Sequence, residues 1–394
     1  MEHLLIKPNF VKNFSCVGSA CEDSCCFGWN IQINKANYKK VTNHPELKAL
    51  AKSALKKVKK SDHNWAQAIL DDKGGCQFLD EKSLCQIHAK AGEQYLSNTC
   101  QTYPRLSRVN DGSCYESLSL SCPEAVRMVL LKDDAFMFET TKYQTKKLSK
   151  ATPQWASTTY DCSMQLLLKP DTPLEVSLLA IGILMKTAEA AMNNQAVSAD
   201  IDNMYQQLVT LADSGVLKQH FDGFDSDNKQ HKLHAFSSIH LWLNTNSVKR
   251  GRERFEVINR AIQSFADADK HICFDRIDAI WHEQVQPLLA QYPTLFQRYG
   301  FYYLYQMNFP LMDKLSPTQA YRLMMADFFM LRVYLTAMAH YKGELTEADL
   351  VMCFQVYHTQ RQHKLNFSKY IIDLLDECGF VDVPAVISLL AAAK

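Results

Sequence analysis

Nine of the thirteen cysteines in this chain crowd into one stretch: Cys16, Cys21, Cys25, Cys26, Cys76, Cys85, Cys100, Cys114 and Cys122. The other four, Cys162, Cys273, Cys353 and Cys378, are spread over more than twice that length. Such density fits either the disulfide framework of an exported protein or a set of thiolates gathered for metal or redox chemistry. The opening MEHLLIKPNF lacks a charged segment followed by an apolar one, so no secretory leader is expected. The thiols are therefore expected to work reduced, in the cytoplasm.

Bulk properties narrow the reading further. At 394 residues the chain has room for two domains with sizeable cores. A 47% hydrophobic and 22% charged composition is that of an ordinary globular protein. A formal net charge of +1 gives no global attraction to nucleic acid or to an anionic membrane. The longest runs free of charge, 284–297 and 299–312, contain proline and fall short of the ~20 apolar residues of a membrane span.

Three zones follow along the chain: 1–130, cysteine-rich with Gly and Asn/Asp turns; 131–172, a connector holding Pro153 and Pro170; and 173–394, helical to the end. The fold expected is mainly α, a cysteine-rich metal-binding region followed by an all-α bundle. Ser316-Pro317 supplies a cap and a first-turn proline, and Gly343 closes that helix about seven turns later. Between them Leu323, Met324, Phe328, Leu331, Leu335 and Met338 recur at helical spacing. Further helices are predicted at 174–192, 199–214, 251–268, 275–286, 346–362 and 367–378. Residues 35–60 read as one basic amphipathic helix, with Leu47, Leu50, Ala51, Ala54, Leu55 and Val58 on one face and lysines on the rest. Such a helix is either a solvated face over a core stripe or a peripheral contact for lipid or an acidic protein.

The cysteines sit on short arms. Phe14-Ser15-Cys16 leads to Cys21 and then to Cys25-Cys26, followed by Gly28-Trp29. Gly74-Gly75-Cys76 precedes Cys85 by nine residues; Thr99-Cys100 stands before Pro104-Arg105, and Ser121-Cys122 before Pro123-Glu124. Thiolate is the soft ligand of both zinc and iron–sulfur centres, and no paired C-x2-C knuckle favours zinc. Iron–sulfur, zinc and unmetallated thiols all stay open. Consecutive side chains diverge, so Cys25 and Cys26 are not expected to serve one ion together. His88 is a possible extra ligand three residues after Cys85, while Cys273, Cys353 and Cys378 lie in apolar helical patterns and read as small hydrophobes.

These arms resemble the flagellin lysine-N-methylase family across about the first 125 residues. The likeness is carried by Phe14-Ser15-Cys16, Gly18-Ser19-Ala20-Cys21, Cys25-Cys26 with Gly28-Trp29, Cys76 with Phe78-Leu79-Asp80, Leu84-Cys85, Thr99-Cys100 with Pro104-Arg105, and Ser117 to Glu124. It is looser at Asn308-Phe309-Pro310, along 320–337, and at Tyr357-His358 with Arg361-Gln362-His363. Cys114 falls outside the shared pattern. The resemblance implies methyl transfer from S-adenosylmethionine to surface lysines of flagellin, with a [4Fe-4S] cluster held among Cys16, Cys21, Cys25, Cys26, Cys76, Cys85, Cys100 and Cys122.

The residues themselves set conditions on that reading. No glycine pair forms the G-x-G of a Rossmann cofactor turn. Cys21 and Cys25 have the first spacing of the C-x3-C-x2-C radical motif, but the next cysteine is adjacent. A lysine nitrogen with a free pKa near 10.4 must lose its proton before it attacks a methyl sulfonium. Tyr103, His358 and His363 are the candidates to assist; the 358–363 stretch otherwise reads as an exposed polar helix face. The competing functions are a non-catalytic zinc- or iron-binding scaffold or chaperone, and electron transfer to a partner enzyme.

Overall fold

The computed structural model describes residues 3–142, 151–224, 228–266, 272, 274–312, 314–362, 364 and 366–391. The chain is mainly α. Strands are confined to the first 142 residues among those described, in two small sheets. One has the order β5-β6-β1-β7, from β1 (Leu4–Pro8), β5 (Arg105–Asn110), β6 (Ser113–Leu118) and β7 (Phe138–Lys142). In it β1 runs parallel to β6 and antiparallel to β7. The other has the order β2-β4-β3, from β2 (Gln32–Ile33), β3 (Leu55–Lys57) and β4 (Ala66–Ala68).

The apolar residues divide into two cores. A small one joins Ile33, Val41, Leu47, Ala51, Leu55, Phe78, Ile87 and Leu96 into a lobe around the three-stranded sheet. The large one runs from Phe10 and Leu118 through the helices to Leu390, so the four-stranded sheet belongs to the helical body. Pro317–Lys342 is its central beam. Ser316 and Gln319 close a reciprocal capping box at its start, and Gly343 ends it at φ +77. Nearly every residue from Ala320 to Ala339 is buried, so the helix is wrapped on all sides. Gly182 of the Leu174–Met192 helix allows that closeness: a Cβ there would lie 2.6 Å from Cζ of Tyr321.

Several expectations need correction. Residues 35–60 are two short helices, Lys35–Asn43 and Lys48–Ala54, followed by β3. The cause is His44, which precedes Pro45 and is pushed into extended backbone (ψ 129). The apolar stripe is buried as expected, but no continuous basic helix is left to lie on a membrane. The connector contains β7 and the Gln154–Leu167 helix, with Pro153 as its N-cap rather than a breaker; Cys162, Leu166 and Leu167 enter the large core. Cys353 and Cys378 are buried as small hydrophobes. Cys273 lies outside the described residues. No helix among the described residues is long and apolar enough to cross a membrane.

Candidate functional site

The cysteine arms converge where the small lobe meets the helical body. Single β-bridges tie them together: Phe27 to Gly75, Leu70 to Cys76, and Leu79 to Cys85. Two groups result. The Cys26 thiol lies in electrostatic reach of Cys25, Cys85 and Cys100, and Cys100 feels Cys85, Cys76 and Cys25. The adjacent Cys25 and Cys26 both fall in this group. They lie at a turn, Cys25 exposed and Cys26 half-buried, and each thiol acts electrostatically on the other. Cys21 feels Cys16, and Cys122 feels Cys21, forming the second group. Cys114 is buried in β6, in neither group.

Electrostatics at the larger group are uneven. Cys25 and Cys26 share a proton, which pulls Cys25 down and pushes Cys26 up. Arg250 adds to the fall at Cys25. Loss of water pushes Cys76 and Cys85 up and Cys100 to about 11, although Cys100 retains an exposed edge. Cys122 rises to about 12 for the same reason. Cys85 is the N-cap of the Gln86–Ala91 helix without a side-chain capping bond, and the nearby backbone N–H groups of His88 and Ile87 pull its thiol down against the larger rise from burial. The His88 imidazole is exposed on that helix; its backbone, not its ring, serves Cys85.

Between the groups stands Arg250, which no sequence motif singles out. Its side chain is 3% exposed. Nε donates to Asp23 Oδ2 at 3.1 Å, and Nη2 donates at 2.7 Å both to the Tyr103 hydroxyl and to the Ser121 carbonyl. Its guanidinium lies 4.8 Å from the Tyr103 ring centre and 5.5 Å from that of Trp29; the two rings meet edge-on at 5.0 Å. Gln355 donates to Asp23 at 3.0 Å, and Tyr103 and Ser121 pair their hydroxyls at 3.0 Å. Burial raises the Tyr103 phenol, so it stays protonated.

The loop bearing Arg250 fits because two arm glycines make room. A Cβ on Gly28 (φ +72) would lie 2.9 Å from the Arg250 backbone nitrogen, and one on Gly74 (φ +96) 2.7 Å from Cδ of Lys249. Gln360 fixes the loop from the other side, accepting from Val248 N–H at 2.9 Å and donating to the Arg250 carbonyl at 3.2 Å.

His358 is elsewhere. It shares the Glu347–Arg361 helix with Arg361, and both are buried, contrary to the exposed face expected. His358 packs against Tyr299 at 5.7 Å and Tyr302 at 6.5 Å, and its Nε2 has no hydrogen-bond partner. Burial holds it well below the ordinary imidazole range. Arg361 pairs with the fully buried Asp327 at 2.9 Å, and Tyr357 donates to the same carboxylate. The 118–121 strip separates this cluster from the thiols. Tyr302 donates to the Leu118 carbonyl at 2.8 Å, and Ser119 donates to Gln362 at 2.7 Å. Tyr103 and His358 therefore stand on opposite sides of one strip. His363 lies outside the described residues.

No group of three or more His, Cys, Asp or Glu side chains among the described residues has, as it stands, the geometry to hold a metal ion. The donors nevertheless fit a thiolate-bound centre in kind and number. Five soft thiols lie within electrostatic reach of one another, Cys25 and Cys100 keeping exposed edges, and partial burial raises Cys76, Cys85 and Cys100 in a way that a bound cation would offset.

Residues 160–389 match the FliB lysine N-methylase C-terminal domain. The chain belongs to this family. It is 25% identical over 378 residues to the lysine-N-methylase of Salmonella choleraesuis (strain SC-B67), covering 93% of this chain and 94% of that relative. The lysine-N-methylase of Salmonella typhimurium (strain LT2) is 24% identical over the same span. The flagellar biosynthetic protein FliU of Salmonella muenchen is 36% identical over 137 residues, 34% of this chain and 81% of that protein. No solved structure matches the chain. The family match covers the loop that carries Arg250 and the helix that carries Gln355, His358 and Arg361, so the likeness is not confined to the cysteine arms.

Proposed function

We propose that this chain is a cytoplasmic protein-lysine N-methyltransferase that moves methyl groups from S-adenosylmethionine to lysines of flagellin. The observation that carries the reading is the alignment to lysine-N-methylases over 93% of the chain. The flagellar name of a further relative supports the substrate. A purely structural metal scaffold has no comparable support.

Cys25, Cys26, Cys76, Cys85 and Cys100 are the residues that would hold a [4Fe-4S] cluster, four thiolates sufficing; Cys16, Cys21 and Cys122 are reserves or a second set. Such a cluster supplies redox or Lewis-acid chemistry when bound. Zinc is the alternative occupant. Arg250 places fixed positive charge beside Cys25 and Cys122, stabilising their thiolates. Trp29 and Tyr103 shield that arginine from water on one side. His358 is kept neutral by burial, and the same burial makes it a weak proton acceptor, so its fitting part is that of an uncharged hydrogen-bonding group; Tyr103, kept protonated, suits a similar post. His363 is the remaining candidate base.

Protein purified without oxygen, mixed with flagellin and S-adenosylmethionine and read by peptide mass spectrometry, is expected to give methylated lysines. Absence of methylation in protein carrying its full metal complement defeats the proposal. Colourless, zinc-bearing protein that still methylates keeps the activity and removes the iron–sulfur assignment.

A further inference from the structure

A cleft of about 460 Å³ opens beside the four-stranded sheet, within the size range of ligand pockets. Five aromatic rings line it: Tyr115 of β6, Phe138 of β7, Tyr160, Phe301 and Tyr305. Four of them form one connected set, with Phe138 5.5 Å from Tyr305 and 6.2 Å from Phe301, and Tyr115 6.2 Å from Tyr305. These rings already hold a cation. Arg108 lies 4.4 Å from the centre of Tyr115 and 5.6 Å from that of Tyr305, fixed by bonds to Asn308 Oδ1 at 2.9 Å and the Tyr305 carbonyl at 2.8 Å.

The only carboxylate lining the cleft is Asp161, and no hydrogen bond or ion pair occupies it among the described residues. Asp161 is exposed at the edge of the aromatic set, so its carboxylate is open to an incoming cation. Aromatic faces attract alkylammonium groups, methylated ones included, through the ring quadrupole. A second cation beside Arg108 would be repelled unless Asp161 offset that charge, so Asp161 decides what the cleft accepts. A neutral aliphatic chain would use the rings but leave the carboxylate unpaired.

We infer that this cleft is a docking subsite for the alkylammonium side chain of a lysine, free or N-methylated, on the protein substrate. The inference rests on the reading of the chain as a protein-lysine methyltransferase. None of the residues lining the cleft belongs to the thiol groups or to the cluster around Arg250. A lysine held here is therefore bound by a different set of side chains from one presented at the thiols, and the cleft acts as an exosite for a lysine-rich surface.

Met164 also lines the cleft and supplies a reporter. The full chain labelled with ¹³C-methyl methionine is titrated with Nα-acetyl-lysine methylamide, its Nε-trimethyl form and Nα-acetyl-norleucine methylamide. Both ammonium probes are expected to shift the Met164 methyl signal, the norleucine probe far less. Asp161→Asn and Tyr160→Leu are each expected to weaken ammonium binding by about five- to tenfold. An equal response to norleucine, or an undiminished one in Asp161→Asn, overturns the subsite. Flagellin methylation by a chain whose Met164 never responds removes the subsite and leaves the function. A Met164 response in a metal-loaded chain that methylates nothing leaves an ammonium site and removes the function.

Discussion

The small lobe and the helical body solve the same problem with unequal means. The lobe, roughly residues 31–96, has a core of few side chains, among them Leu47, Phe78 and Ile87, and strands of two or three residues. The body buries a continuous apolar core and can carry an Asp327–Arg361 pair wholly out of water. Small domains bury too little surface to stand on apolar contacts alone and depend on staples or metals. The contrast teaches where a bound metal of the kind proposed would matter most: the lobe has little apolar core to fall back on, while the body has ample.

The largest test of that contrast is to withhold the metal that the proposed function calls for. Chelation, or Cys85→Ser with Cys100→Ser, is expected to cost the lobe on the order of several kcal/mol. Hydrogen exchange should then rise across 31–96 and stay slow in the Pro317–Lys342 helix; simultaneous loss in both would erase the distinction. Next is Asp327→Ala, which strands a buried guanidinium and is expected to destabilise the body by about 3–5 kcal/mol in urea titration. An effect no larger than that of a surface substitution would mean that water reaches Arg361.

A smaller effect is expected at the seam. Gly28→Ala forces a side chain onto positive φ and toward the Arg250 nitrogen, at about 1–3 kcal/mol. It should loosen lobe exchange and leave the body's unfolding midpoint unchanged. The smallest concerns pH. Burial lowers His240 from 6.5 to about 4. The unfolded chain therefore binds a proton that the folded chain refuses, and stability falls as pH drops from about 6.5 toward 4. The loss is about 1 kcal/mol at pH 5.5, and His358 adds to it in the same direction. His240→Gln is expected to flatten the dependence of the urea midpoint; an unchanged slope would assign the acid sensitivity to other groups.

The sequence disclosed those parts of the fold that are governed locally. The Pro317–Lys342 helix was legible because its capping box, first-turn proline and closing glycine are all contiguous signals. The 35–60 stripe misled because its burial periodicity crosses Pro45, where backbone sterics end the helix while the apolar register continues into β3. The arms and their cysteines were visible as motifs; the division into two groups was not, since it depends on bridges such as Phe27 to Gly75. Arg250 was invisible for a similar reason: its partners Asp23, Tyr103 and Ser121 are brought to it by tertiary docking alone. His358 read as exposed because a polar run on a helix looks the same whether water or a tyrosine cluster receives it.

The docking of Arg250 also sets an order in time. Asp23 and Arg250 are 227 positions apart. At 5–20 residues per second, synthesis separates them by roughly 11 to 45 s. Throughout that interval the cysteine arms exist without the arginine that stands between their two groups and without the loop that their glycines receive. The newborn N-terminal third is thus an open set of thiols, accessible to whatever delivers metal or oxidant. Only when the Arg252–Gln263 helix follows does the body close over it.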